Sequence, residues 1–279
     1  MALKLMYITN RLDVAGVAQL AGVDILFVDM EHIGKSKRQK GMNTVQSNHT
    51  VADVKQIRCI TKDAQLLVRC NPIHKKTAEY PGSEEEIQGI IDAGADIIML
   101  PYFKSVREVK EFLGIVDGRV KTCLLVETPE AVTVLDQILD LPGIDQVHIG
   151  LNDLSLGYGK KFMFELLSDG TVEEICSKCA AHHIPYGFGG IASLGRGMLP
   201  SEYVIKEHYR LGSEYAILSR SFCDASQVEN IDRIQEMFLD GVQAIRRHEK
   251  SCADHPETYE ENRREVIRRV DCVVGTQTV

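Results

Sequence analysis

The chain has 279 residues, 44% hydrophobic and 26% charged, ordinary values for a globular protein that buries its own core without disulfides. Its 32 basic and 40 acidic side chains leave a net charge of −8, which argues against the basic footprint of a nucleic-acid surface. No run approaches the ~18 apolar residues that cross a membrane, and residues 1–8 are too short and interrupted for a secretory signal. Cysteines dispersed at 59, 70, 123, 176, 179, 223, 252 and 272 suit reduced thiols and a cytoplasmic location.

In chain order, strands are predicted at 4–9, 24–29, 65–69, 96–100, 121–126, 146–149, 185–188 and 215–219. Each is short, β-branched or Leu-rich and nearly free of charge, as expected where both faces are buried. Amphipathic helical segments alternate with them at 14–21, 51–60, 83–93, 106–113, 129–139, 172–181 and 201–211, and 227–249 supplies an eighth. Ala21-Gly22-Val23-Asp24 and Ala93-Gly94-Ala95-Asp96 each end a helix on glycine and open a strand, because glycine accepts the left-handed cap. Regular βα alternation implies a parallel sheet, and eight repeats in ~250 residues point to a closed (β/α)8 TIM barrel. We expect a single barrel domain over 1–225 and a C-terminal helical extension over 226–279. The charged stretch 257–270 is either a further helix on the barrel exterior or an oligomer arm.

Active sites of such barrels lie at the C-terminal ends of the strands. Asp29, Glu31 and His32 follow strand two, Arg69 ends strand three, and Pro101 follows strand four. Glu127 follows strand five, Asp153 strand six, Gly187-Phe188-Gly189-Gly190 forms the turn at strand seven, and Ser219-Arg220 ends strand eight. Glu127 and Asp153 lie about one βα unit apart, so they face one mouth. There they either bind a hard cation such as Mg²⁺ or serve the chain locally, as a helix cap or an Asx turn. His32 near Asp29 is either a general base or a loop histidine packed on the rim. Arg69 either grips a carboxylate or enolate or forms a structural salt bridge.

Other features carry plainer readings. Cys176-x-x-Cys179 with His182-His183 has zinc-ligand residue types, but it lies on a helix without a second pair. The basic run from Lys35 to Lys40 reads as a solvated loop, placed where it could also close over an anionic substrate. The 187–190 turn sits where barrels often bind phosphate, and Gly157 and Gly159 read as loop punctuation.

Five motifs in order carry a resemblance. Phe27-Val28-Asp29-Met30-Glu31-His32, Leu67-Val68-Arg69, Ala93-Gly94-Ala95-Asp96 with Leu100-Pro101, Val126-Glu127-Thr128-Pro129-Glu130-Ala131 and Ile149-Gly150-Leu151-Asn152-Asp153-Leu154-Ser155 resemble those of the HpcH/HpaI aldolase and citrate lyase β-subunit family over residues 4–225. The resemblance implies a (β/α)8 barrel that makes or cleaves a carbon–carbon bond through a pyruvate-type enolate, using Mg²⁺, Mn²⁺ or Co²⁺. It implies that Glu127 and Asp153 bind the metal, that Arg69 holds the α-oxo acid, and that His32 with Asp29 is the acid–base pair. Backbone N–H groups around Gly150, Leu151 and Asn152 would meet the substrate carboxylate. Family barrels exchange their last helix and assemble as hexamers, which would make 227–249 the arm of a homo-oligomer.

The chain departs from the family pattern where that pattern reads Gly-Pro-x-Asp-Leu-Ser and, after the histidine, Ala-Pro-Asn; here stand Gly150-Leu151-Asn152 and Ile33-Gly34-Lys35. Ser219-Arg220-Ser221 replaces smaller residues, and an extra arginine at the mouth suggests a substrate with another anionic group. The leading expectation is an aldolase-type lyase of a 2-oxo-4-hydroxy acid, giving an α-oxo acid and an aldehyde. The alternatives are a malyl- or citramalyl-CoA-type lyase and a non-catalytic barrel that binds an α-oxo acid.

Overall fold

Eight parallel strands close into a barrel in sequence order: β1 Lys4–Ile8, β2 Ile25–Asp29, β3 Gln65–Arg69, β4 Ile97–Leu100, β5 Lys121–Val126, β6 Gln146–Ile149, β7 Tyr186–Ile191 and β8 Tyr215–Leu218. The computed structural model from which they are read describes residues 2–35 and 47–276. The first strand closes the sheet, pairing Met6 with Ile25 of β2 and Lys4 with Tyr215 of β8. Successive side chains point to opposite faces of a strand. Met6, Ile25, Phe27, Leu67, Ile97, Met99, Cys123 and Leu125 accordingly fill the barrel interior. Their neighbours Leu5, Leu26, Val28, Val68, Ile98, Leu124 and Val126 pack outward under the helices. Both faces are apolar, which is why the strands read as continuous runs rather than alternating ones.

In chain order, the helices of the described residues are α1 Leu12–Leu20, α2 Val51–Ile60, α3 Ser83–Asp92, α4 Val106–Val116, α5 Pro129–Thr133, α6 Leu135–Leu139, α7 Leu151–Gly157, α8 Glu165–Ser168, α9 Thr171–Ala181, α10 Ser201–Arg210, α11 Ile231–Asp254 and α12 Tyr259–Thr276. Side-chain caps set several starts. Thr50 and Asp53 form a capping box on α2, Ser105 caps α4, and Thr128 caps α5 with Pro129 in its first turn, each satisfying N–H groups that have no partner within the helix. The segment expected as one helix over 129–139 divides at Val134 into α5 and α6. The seventh strand runs on to Ile191 through a register shift between Gly187 and Gly190.

The last two helices dock on their own barrel. Glu249 of α11, 2% exposed, accepts the Leu3 N–H at 2.6 Å, and Arg246 donates to the Leu3 carbonyl at 2.6 Å and to Asp24 at 3.0 Å. Asn262 of α12 donates to the Tyr203 carbonyl and to Glu207 on α10. Cys176 and Cys179 are buried core residues of α9, where burial pushes the Cys179 thiol up to about 12; His182 instead reaches Lys178 O and Asp140. No described helix is long and apolar enough to cross a membrane.

Candidate active site

Where the apolar filling of the barrel ends, the inward positions become polar. They open into a cavity of about 440 Å³ at the C-terminal ends of the strands, whose wall includes Asp29, Arg69, Glu127, His148 and Asp153.

The β2–β3 register sets Asp29 opposite Arg69. The guanidinium grips the carboxylate with both prongs, Nε to Oδ1 at 2.8 Å and Nη2 to Oδ2 at 2.7 Å. Lys35 adds a third donor to Oδ2 at 2.8 Å and lies 3.4 Å from Glu31, while Arg69 Nη1 lies 3.5 Å from the same Glu31 oxygen. Two cations and two carboxylates thus form a buried quartet in which each charge offsets the cost of burying the others. Burial alone would raise the Asp29 carboxyl, but Arg69 and Lys35 more than reverse this and hold it well below the usual carboxylate range. Lys35 is therefore a buried member of the site, 5% exposed, and not the solvated loop residue expected. The rest of the expected basic run, residues 36–40, lies outside the described residues.

Glu127 stands just past β5, 3% exposed, and accepts the backbone N–H of Tyr102 at 3.0 Å. The cap of α5 is Thr128, which accepts from Ala131, so the capping role falls to Thr128 and not to Glu127. Gly150 lies against it, where an added Cβ would stand 2.8 Å from both Cβ and Oε2 of Glu127; only glycine allows this approach. Asp153 falls in the first turn of α7, whose N-cap is Gly150, and so is neither cap nor Asx turn. Gly157, expected as loop punctuation, ends α7 where a Cβ would meet Pro129 Cδ at 2.5 Å. Leu151 and Asn152 also line the cavity. The Gly150 N–H is committed to the Val126 carbonyl at 3.0 Å, leaving the N–H groups of Leu151 and Asn152 as the helix-start donors without an intrahelical acceptor.

Three histidines differ from what the sequence suggests. His32 is not part of the cavity wall; its backbone N–H goes to Asn71 at 2.8 Å and its Nε2 donates to the His49 carbonyl at 3.4 Å. Its expected partner, Asp29, is taken by Arg69 and Lys35. His49 does line the cavity, and its Nδ1 accepts the Asp29 N–H at 3.0 Å. His148 points inward from β6, donates from Nε2 to the Gly189 carbonyl at 3.2 Å, and keeps a buried Nδ1 with no hydrogen-bond partner. Sequence reasoning missed His49 and His148. The first stands just before the Thr50 capping box, at a loop-to-helix junction on the catalytic side, and that position was its signal.

Glu127 and Asp153 fit a hard divalent cation in donor chemistry. Both are carboxylates, both line one cavity, and Mg²⁺ characteristically takes one or two carboxylates and completes its octahedron with water and substrate oxygens. Among the described residues no group of three or more His, Cys, Asp or Glu is placed to hold a metal, so a cage made only of such side chains is not what they offer.

A closed parallel barrel with two carboxylates and a half-buried arginine at the C-terminal ends of its strands defines the class, a (β/α)8 barrel. The chain belongs to the HpcH/HpaI aldolase/citrate lyase family, whose sequence pattern matches residues 5–167; membership supports a lyase or aldolase function. No curated protein matches it in sequence. Among solved structures it is similar to an HpcH/HpaI aldolase/citrate lyase family protein from Burkholderia cenocepacia J2315, with TM-score 0.60 and 14% identity, covering 84% of this chain and 94% of that one. An HpcH/HpaI aldolase from Desulfitobacterium hafniense DCB-2 gives TM-score 0.59 and 17% identity over 88% and 93% of the two chains. The citrate synthase SbnG gives 0.56 and 16% over 78% and 87%. At these identities the likeness speaks for the fold.

Proposed function

We propose that the protein is a divalent-metal-dependent carbon–carbon lyase that cleaves or forms a 2-oxo-4-hydroxy acid through a pyruvate-type enolate. The observation that carries this reading is the convergence of Arg69, Glu127 and Asp153 on one cavity of about 440 Å³. Glu127 and Asp153 would hold Mg²⁺, Mn²⁺ or Co²⁺, and the ion would supply Lewis-acid polarisation of the substrate carbonyl. With two N–H groups engaged by Asp29, the Arg69 guanidinium keeps others for the α-oxo acid and for the enolate oxygen as charge develops there. Leu151 and Asn152 offer backbone N–H groups to the substrate carboxylate. Asp29 fixes the Arg69 fork, His32 braces the segment that carries His49, and the methyl proton would leave to a water held in the cavity. The cavity would close around an α-oxo acid and an aldehyde.

Exchange of the pyruvate methyl protons in D₂O, followed by NMR, tests enolisation directly. Exchange is expected with Mg²⁺ or Mn²⁺, to stop with EDTA, and to be lost in Glu127→Ala. Absence of exchange with every metal would reject the enolate reading. The Gly150–Glu127 approach offers a second check. Gly150→Ala must displace the carboxylate, and Mn²⁺ affinity measured by calorimetry should fall about tenfold or more, the scale seen when groups orienting a metal ligand are disturbed. Unchanged affinity would remove Glu127 from the ligand set.

A further inference from the structure

We propose that His49 is a catalytic hydrogen-bond donor, an imidazole whose proton is fixed on Nε2 and offered to a substrate oxygen that gains negative charge. The inference deepens the lyase reading and rests on it. His49 lines the same cavity as Asp29 and Arg69 and is 8% exposed. Its Nδ1 receives the Asp29 backbone N–H at 3.0 Å, and an imidazole nitrogen that accepts a hydrogen bond carries no proton. The single proton of the neutral ring therefore sits on Nε2, the ring nitrogen that no described residue engages.

Protonating Nδ1 would set two N–H donors against each other. Geometry thus opposes the cation, and burial opposes it further, lowering the imidazole below its ordinary range. Among the described residues, the charged and titratable groups that act on it include Asp29, Asp53, His32 and Lys35. Asp29 and Asp53 favour the cation, but the Asp29 charge is already shared between Arg69 and Lys35, and Asp53 is engaged by Thr50 and Asn10. A ring held this way has no lone pair on Nε2 with which to take a proton, so it is not a general base. Its use is electrostatic: a neutral N–H directed at an oxygen whose charge grows as the carbon–carbon bond breaks or forms. His49 keeps its proton throughout. His32, donating from Nε2 to the His49 carbonyl at 3.4 Å, is a positioning residue for this segment.

The test uses the full chain labelled with ¹⁵N-histidine, together with the variants His49→Phe, His49→Gln and His32→Asn. The His49 signals should report the Nε2–H tautomer at neutral pH, hold it as the pH is lowered through the ordinary imidazole range, and shift, with the tautomer retained, when oxalate is added with Mg²⁺ as an enolate mimic. In the pyruvate exchange assay, His49→Phe should lose about 10²-fold in kcat with KM changed only a few-fold. His49→Gln, which places an amide N–H near the lost donor, should recover part of the loss. His32→Asn should reduce the rate less than His49→Phe. An Nδ1–H tautomer, ordinary titration near 6.5, or a shift at His32 and not at His49 would overturn the assignment, as would full activity in His49→Phe. If the wild type exchanges no pyruvate protons, the lyase reading fails on its own, and the oxalate response still decides whether His49 contacts a ligand.

Discussion

Arg69→Ala should cost about 10²–10³ in the rate of pyruvate proton exchange, the usual effect of removing one preorganised donor to a developing oxyanion, and should destabilise the fold as well. The second effect follows from the quartet. Without the guanidinium, Asp29 at 2% exposure keeps the Lys35 ammonium and the Glu31 N–H, and Glu31 at 1% loses its neighbour 3.5 Å away. Breaking a buried pair from one side typically costs ~3–5 kcal/mol, and the surviving Lys35 contact should hold the loss toward the lower end. Arg69→Lys separates the two effects. It keeps a cation beside Asp29 but replaces a planar fork by a point donor. The melting temperature should therefore recover in large part while the rate stays low. A folded Arg69→Lys protein with near-wild-type exchange would remove Arg69 from the chemistry.

Mild acid should destabilise the protein well above the pH at which its carboxylates titrate. Burial lowers His148 to about 4, with Arg69 adding to the effect and the Gly189 carbonyl opposing it, and burial lowers His208 to about 3. His208 is stacked at 3.8 Å on Phe188, with Nδ1 on Ser213 at 2.8 Å and a buried Nε2 without a partner. Both rings stay neutral in the native protein, while the unfolded chain protonates them near 6.5. Below 6.5 the unfolded state therefore binds more protons, and stability falls with pH down to about 4 for His148 and about 3 for His208. The slope is about 1.4 kcal/mol per pH unit for each histidine. Asp29, held low, adds its own loss only below its unfolded value of ~3.9. Urea midpoints at pH 7, 6 and 5 should fall steadily, and His148→Phe should remove that residue's share of the slope. Coincident midpoints at pH 7 and 5 would mean that these rings are accessible or paired as cations.

The sequence foretold the strands best, because strands such as β2, with Ile25, Leu26, Phe27, Val28 and Asp29 all buried, need apolar side chains on both faces and so leave an unbroken run. The strand ends follow from that pattern, which is why Asp29, Arg69, Glu127 and Asp153 could be selected before any geometry was known. What they do to one another was not legible. Asp29 meets Arg69 through inter-strand register, and periodicity carries no register between parallel strands. Lys35 looked solvated because a charge run usually is; only the nearness of Asp29 and Glu31 makes its burial tolerable. His49 was marked only by its place before the Thr50 capping box, since its significance lies in an N–H twenty residues earlier in the chain. The division of 129–139 into α5 and α6 was hidden for a related reason: the break at Val134 has no glycine or proline to mark it.

The clasp between Leu3 and α11 bears on how the chain reaches its native state during synthesis. Glu249 and Arg246 hold the backbone of Leu3 across separations of 246 and 243 residues, and the seam beside β1 is sealed by β8. On the ribosome β1 is made before β8 and waits with one unpaired edge until β8 has followed. Such long-range closure is intrinsically slow, and an exposed edge of Leu-Met-Tyr-Ile is a template for the wrong neighbour. The growing chain is therefore most open to misassembly in the interval between the synthesis of β1 and that of β8.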